Sequence, residues 1–314
     1  MRQNDGVDAG YRTVTRRLGI AMLTFLGLFV GLGMLSALLA EVLAMSGLSA
    51  ATRNITTELV DSAIYLVSFM LPVLVYDRLT PAHERCSMCL AARLPRRTPM
   101  VILARVAVIQ TAAVANALLL HALGWTGSWS GDFHWALGLP PYRGVLMMIY
   151  TAMVPAFCEE FLFRGLALNA LRPYGKTVAV IGSAVLFGLM HGSLEQILYT
   201  TVGGVVLALA TLESGSLWIA VLIHFFNNLL SVVEGILYMR FEETTASLMY
   251  GILQLIAIGG GLLCLIYLMT HRRTERETAP PEETAPRYPV RGFLTAPMRI
   301  FAALSVVQML LLLL

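Results

Sequence analysis

The sequence predicts an all-α fold, a polytopic integral membrane bundle of about eight transmembrane helices. Hydrophobic residues occupy 57% of the 314 positions and charged residues only 13%, and the mean hydropathy is +0.74. These values lie outside the range of soluble globular proteins of this size. A hydrocarbon core about 30 Å thick needs about 20 apolar residues per helix. Eight apolar runs approach this length: 19–43, 58–76, 99–123, 144–171, 177–191, 194–212, 216–237 and 247–270.

The arginines fall on alternate connections between these runs, which predicts the orientation in the membrane. Short cytoplasmic loops carry an excess of Lys and Arg. The segments before the first run and after the second, fourth and eighth are rich in Arg, whereas the opposite loops hold only Arg53, Arg143 and Arg240. We therefore expect an even number of crossings, with the N- and C-terminal segments both in the cytoplasm.

The remaining stretches follow from the positions of the runs. We predict a cytoplasmic N-terminal segment (1–18), N-terminal transmembrane helices and loops (19–143), helices that carry the polar motifs described next (144–237), a last core transmembrane helix (238–270), a disordered cytoplasmic tail (271–299) and a short apolar C-terminal segment (300–314). The tail prediction depends on repeated Glu-Thr-Ala-Pro amid Pro and Arg. The final segment would be about 22 Å long as a helix, and the sequence leaves open whether it spans or lies at the interface.

Two adjacent carboxylates and a guanidinium stand inside the fourth apolar run, at Glu159, Glu160 and Arg164. One ionised side chain at the bilayer centre costs roughly 2.5 to 3.5 kcal/mol on insertion scales. Three such groups must therefore be paired, neutralised or turned towards a wet cavity. Their position within the membrane indicates chemistry or transport.

Two further pairs of residues at helical spacing occur in later runs, and each contains at least one polar side chain: Phe187-x3-His191 and His224-x3-Asn228. Counted along their helices from one side of the membrane, the polar groups of all three motifs fall at a similar depth. A single intramembrane site built by three helices is the simplest interpretation. A carboxylate beside imidazole can activate water, and His and Asn donors can stabilise an oxyanion, which together support amide hydrolysis.

Each motif alone also has a structural interpretation, as an ion pair, a packing histidine or hydrogen-bonded contacts between helices. The residues leave two chemical routes open, since Glu159, His191 and His224 could also bind Zn²⁺. Two other functions stay open as well. One is a proton- or ion-coupled transporter, in which the same residues form a relay. The other is a catalytically silent immunity or scaffold protein.

The three motifs, in this order, resemble those of the CPBP family, the CAAX-prenyl-protease and bacteriocin-processing enzymes, also called Abi. The resemblance covers roughly residues 144–237 and implies an eight-helix intramembrane endopeptidase with a cavity open to the cytosol. It implies that Glu159 is the general base and that His191 orients the attacking water or binds a metal. His224 and Asn228 would then form the oxyanion hole, and Glu160 and Arg164 would be the pair that shapes the site.

We therefore expect a membrane-embedded protease that uses Glu/His-activated water, with a glutamate-dependent mechanism and Zn²⁺ as an open alternative. Its partners would be the lipid bilayer and a membrane-associated protein or peptide substrate, prenylated or not, and we expect no nucleic acid. Cationic residues are almost all Arg, and Lys176 is the only lysine. This usage points weakly to a prokaryotic protein of the cell membrane.

Overall fold

The computed structural model describes residues 2–85, 90, 94, 96–124, 148–271 and 290–311. These residues are helical and contain no strand, which confirms the predicted fold class. The helices are α1 (Arg2–Ala44), α2 (Ala50–Leu79), α3 (Thr98–Ala122), α4 (residues 148–171), α5 (Lys176–Met190), α6 (Leu194–Ser214), α7 (Leu217–Arg240), α8 (Glu243–Thr270), α9 (Val290–Phe293) and α10 (Ala296–Leu311), with single 3₁₀ turns at Ala82–Glu84 and Arg172–Tyr174.

Six of these helices are long and apolar enough to cross a membrane, namely α1, α2, α3, α6, α7 and α8. Helix α5 has 15 residues and is therefore only about 22 Å long. The helix ends within the bundle, so His191, which follows its last turn, is partly buried. Helix α1 begins at Arg2, well before the predicted first span at 19, and Tyr11, Thr15 and Leu18 of this extension are buried.

Helix α4 lies at the centre of the bundle and is irregular. It comprises the π-helical segments Met148–Met153 and Phe161–Leu168 and the α-helical segments Val154–Glu160 and Asn169–Leu171. The Asn169 amide donates to the carbonyl oxygens of Arg164 and Gly165, at 3.1 and 3.0 Å. Wide turns of this kind occur frequently at functional sites, and the second one starts directly after Glu160.

Helices α5 and α6 pack closely behind α4. A Cβ added at Gly204 would lie 2.9 Å from the Ala184 Cα atom and 3.0 Å from its Cβ atom. Small residues allow helices in membranes to approach in this way. The close contact brings the backbone of α6 within reach of α4 side chains.

The predicted disordered tail needs correction. Residues 272–289 lie outside the described part of the chain, but residues 290–299 belong largely to helices α9 and α10. The Thr15 hydroxyl donates to the Gly292 carbonyl at 2.9 Å, and Met298 and Phe301 are buried. Composition gave the wrong answer here because these apolar side chains find a partner in α1, far away in sequence.

Candidate functional site

The structure brings the predicted site residues together from three helices. Glu159, Glu160 and Arg164 lie on α4 at the start of its second π-helical segment. His191 follows the last turn of α5, and His224 lies on α7, where its side chain reaches the α4 carboxylates. Glu160 and Arg164 are fully buried, and Glu159 and His224 are only 5% and 6% exposed.

Glu160 is the centre of a buried charged cluster. Its Oε1 atom accepts a hydrogen bond from Arg164 Nη1 at 3.0 Å and lies 2.9 Å from His224 Nδ1. The second guanidinium nitrogen, Nη2, donates to the Gly204 carbonyl at 3.0 Å. These bonds offset part of the desolvation cost of the buried ions, although Glu160 Oε2 and Arg164 Nε have no hydrogen-bond partner among the described residues.

The Phe187 ring packs against the Arg164 guanidinium and against the rings of both histidines. The Arg164 guanidinium carbon lies 4.4 Å from the Phe187 ring centroid, which is within cation–π range. The Phe187 ring contacts the rings of His191 and His224 edge-on, with centroids 4.9 and 5.7 Å apart. Phe187 therefore fixes the position of both histidine rings from one side.

Hydrogen bonds fix which nitrogen each histidine presents. His191 Nδ1 lies 2.8 Å from the Phe187 carbonyl oxygen, which can only accept, so Nδ1 carries the proton and Nε2 presents a lone pair when the ring is neutral. His224 Nδ1 donates to Glu160 in the same way. His224 Nε2 is left free and lies 3.9 Å from Glu159 Oε2.

Glu159 has one occupied and one available oxygen. The Tyr65 hydroxyl of α2 donates to Glu159 Oε1 at 2.5 Å. Glu159 Oε2 is buried and has no hydrogen-bond partner among the described residues. A water molecule bridging Glu159 Oε2 and His224 Nε2 would satisfy both atoms.

A small pocket of about 40 Å³ adjoins these groups, lined by residues that include His191, Tyr199, His224, Asn227 and Asn228. A volume of about 10 to 15 Å³ on this measure holds one water molecule, so the pocket admits water but not a peptide. Tyr199, Asn227 and Asn228 also line a neighbouring cleft of about 490 Å³ between α3, α6, α7 and α8. The cleft has the size of a ligand site, and it reaches the pocket from one side.

The turn after His191 touches the C-terminal helix. Gly192 has φ +61°, a left-handed conformation that favours glycine. A Cβ at this position would lie 2.7 Å from the Cδ atom of Gln308 on α10. The backbone beside His191 is therefore held in part by a side chain of the last described helix.

The donor set for the zinc alternative is not assembled as a metal site. Zinc in a catalytic site takes three protein ligands at about 2.0 to 2.2 Å. In the described part of the chain no three His, Cys, Asp or Glu side chains are placed to hold a metal ion, and this includes Glu159, His191 and His224.

Sequence reasoning missed several polar groups of the site. Tyr65 and Tyr199 reach it from α2 and α6, and Gln110 reaches it from α3 by donating to Asn227 Oδ1 at 3.0 Å. The Gly204 carbonyl is a fourth such group. A polar residue within an apolar run was the only available signal for Gln110, and the tyrosines gave none, because Tyr is common in membrane helices.

Comparison with known proteins agrees with the resemblance stated for the three motifs. Residues 141–230 match the family model described as type II CAAX prenyl endopeptidase Rce1-like. YdiL of Bacillus subtilis strain 168, described as a candidate membrane peptidase, is 31% identical over 91 residues, which cover 28% of this chain and 36% of YdiL. The chain thus spans about a third of the length of this curated relative. No solved structure shows a significant match.

Proposed function

We infer that this chain, whose residues 141–230 match the Rce1-like type II CAAX prenyl endopeptidase family, is a membrane-embedded endopeptidase in which Glu159 activates water. The observation that carries the mechanism is the free Glu159 Oε2 atom, buried 3.9 Å from His224 Nε2. His224, together with His191 and Asn228, also lines the adjoining water-sized pocket.

Glu159 is the proposed general base. Water bound at Oε2 loses a proton to this oxygen as its own oxygen attacks the scissile carbonyl carbon. The His191 Nε2 lone pair accepts the second hydrogen of the same water and so orients it. When the tetrahedral intermediate collapses, the protonated Glu159 returns its proton to the leaving amine. The hydroxide of the water molecule thus ends on the new carboxyl group, and its proton ends on the new amino group.

The oxyanion would be stabilised by His224 and Asn228. With Nδ1 committed to Glu160, a doubly protonated His224 ring donates from Nε2, and the Asn228 amide supplies a second donor. Donors that are fixed before the reaction need no reorganisation as charge develops. Glu160 and Arg164 act through His224, because they hold its ring and compensate its charge.

The cleft of about 490 Å³ is the proposed route for the peptide, since it is large enough for a ligand and shares Tyr199, Asn227 and Asn228 with the pocket. We propose a membrane-associated protein or peptide as substrate, and the family description makes a prenylated cysteine near the cleaved bond the first candidate. In this proposal both terminal segments lie in the cytoplasm, as expected from the arginines on alternate loops.

The mechanism is tested with purified protein in lipid nanodiscs and a fluorescence-quenched peptide that contains a farnesylated cysteine, alongside the same peptide without the lipid. Glu159→Gln should lower kcat by about 10²- to 10⁴-fold, because the general base is lost. Glu213→Gln is the matched control, since it removes a carboxylate that pairs with Arg105 at a half-exposed position on α6. Equal cleavage by the Glu159→Gln variant and the wild type would refute the proposed base.

A further inference from the structure

A chain of hydrogen bonds begins at Glu234, a carboxylate of α7 that lines the cleft and has no part in the mechanism above. Tyr250 of α8 lines the same cleft, with its hydroxyl group within reach of the Glu234 carboxylate. Gln254, one turn further along α8, donates from Nε2 to the Tyr250 hydroxyl oxygen at 3.4 Å. The same nitrogen donates to Gln110 Oε1 of α3 at 3.2 Å.

The chain continues from α3 to the proposed oxyanion donor. Gln110, which is buried, donates from Nε2 to Asn227 Oδ1 at 3.0 Å. Asn227 Nδ2 lies 3.5 Å from Asn228 Oδ1 and donates to it. Six polar side chains from three helices therefore connect Glu234 to Asn228 within the membrane-spanning part of the protein.

The Glu234 carboxylate fixes the direction of these bonds, which run outwards from the Gln254 NH₂ group, since this group donates both to Tyr250 and to Gln110. An ionised carboxylate can only accept, so Tyr250 donates to Glu234 and its oxygen is left to accept from Gln254. Each amide that follows accepts through its oxygen and donates through its nitrogen. The last oxygen engaged is Asn228 Oδ1, which leaves the Asn228 NH₂ group free to donate elsewhere.

We propose that Glu234 is a positioning residue, which acts through this chain to turn the NH₂ group of Asn228 towards the pocket where the oxyanion forms. An asparagine amide has two orientations of nearly equal shape, and only one of them offers hydrogen-bond donors to an anion. The inference rests on the proposed function, because it assigns Asn228 as a donor. It adds a group that lies outside the three motifs and does not touch the substrate's reacting atoms.

The sharpest test is Gln110→Glu. The new carboxylate still accepts from Gln254 but has no N–H for Asn227 Oδ1, so Asn227 turns its NH₂ group to that carboxylate and its oxygen to Asn228. The Asn228 NH₂ group would then donate to Asn227 and would not be available to the oxyanion. We expect kcat for the farnesylated peptide to fall by about 10- to 100-fold, a fraction of the loss typical for an oxyanion donor, with KM unchanged.

Two variants at the far end of the chain distinguish positioning from mere packing. Glu234→Gln keeps an oxygen that accepts from Tyr250 and should retain most of kcat, whereas Glu234→Ala removes the acceptor and should lower kcat with KM unchanged. The matched control is Thr111→Val, beside Gln110, which removes only a bond to the Ala107 carbonyl of its own helix. Equal kcat in Glu234→Gln and Glu234→Ala, or a wild-type kcat in Gln110→Glu, would overturn the proposal.

A stability measurement keeps the test independent of the proposed function. If the wild type does not cleave the peptide, the proposed function fails, and the hydrogen-bond chain is tested alone by unfolding in mixed micelles. Gln110→Leu and Gln254→Leu should then show coupled effects, with the double variant less destabilised than the sum of the single variants. Additive effects would show that these amides do not act as one chain and would end the inference.

Discussion

The Tyr65 hydroxyl of α2 lies 2.5 Å from Glu159 Oε1 and donates to it, although 94 residues separate the two positions. This bond occupies one carboxylate oxygen. The other oxygen, Oε2, lies 3.9 Å from His224 Nε2 and has no hydrogen-bond partner among the described residues, so it is the oxygen left to accept a proton in the proposed mechanism.

Tyr65→Phe should lower kcat by about tenfold, because Glu159 would rotate between two equivalent oxygens and lose a bond that orders it. The loss of one buried partner should also cost about 1 to 3 kcal/mol of unfolding free energy. Steady-state cleavage and thermal unfolding measure the two effects. Tyr267→Phe is the control, since this tyrosine of α8 is 40% exposed and lines neither the pocket nor the cleft, and a similar loss of kcat there would remove the special role of Tyr65.

Gly204→Ala should destabilise the protein by about 1 to 3 kcal/mol through overpacking. The added methyl group would lie 2.9 Å from the Ala184 Cα atom and would push α5 and α6 apart. Arg164 would then lose its contact with the Gly204 carbonyl. Gly203→Ala is an adjacent control, because its methyl group would meet Ile109 Cγ2 at 3.6 Å, an ordinary contact. Equal midpoints of unfolding for the two variants would contradict this account.

Arg164→Lys should cost about 3 to 5 kcal/mol, since one ammonium group cannot replace both guanidinium bonds and would leave Glu160 partly unpaired in a buried site. Cleavage should fall with it, because Glu160, which bonds to the His224 ring, would no longer be held in place by Arg164. Arg105→Lys changes a more exposed pair with Glu213 and should alter stability by less than about 1 kcal/mol. Unfolding in mixed micelles compares the two variants directly.

Phe301→Ala should destabilise the protein by about 3 to 5 kcal/mol, because this fully buried ring of α10 leaves a cavity when it is removed. Leu304→Ala, at an exposed position of the same helix, should have a small effect. If both variants unfold at the wild-type midpoint, α10 does not contribute to the folded bundle.

The contact between Arg17 and Glu84 should respond to pH. The Arg17 guanidinium, 2.6 Å away, lowers the pKa of Glu84 below its ordinary value of 4.5. A lowered folded-state pKa gives a stabilising contribution that is present above about pH 4.5 and disappears as the pH falls through the lowered pKa. Nuclear magnetic resonance titration of Glu84 in the wild type and in Arg17→Gln measures it. Identical titration curves would show that the ion pair is absent in solution.

The helical fold and the main site residues could be predicted from the sequence because both leave strong local signals. Charged residues are costly in an apolar run, so Glu159, Glu160 and Arg164 stood out, and helical spacing paired His224 with Asn228. Tyr65 and Gln110 could not be placed, because their roles depend on which helices pack together, and no local pattern records that. The helical nature of residues 290–299 was missed for the same reason, since its apolar side chains meet α1 only in the folded chain.

The contact between Gln308 and Gly192 links the turn after His191 to the last helix that the structure describes. The ribosome adds α10 after every other described helix, so this contact can form only when the earlier helices have already been made. A nascent chain that has folded through α8 would hold Glu159 and His224 but lack this support beside His191. Under the proposed function, such a chain would cleave peptides slowly until translation has passed α10.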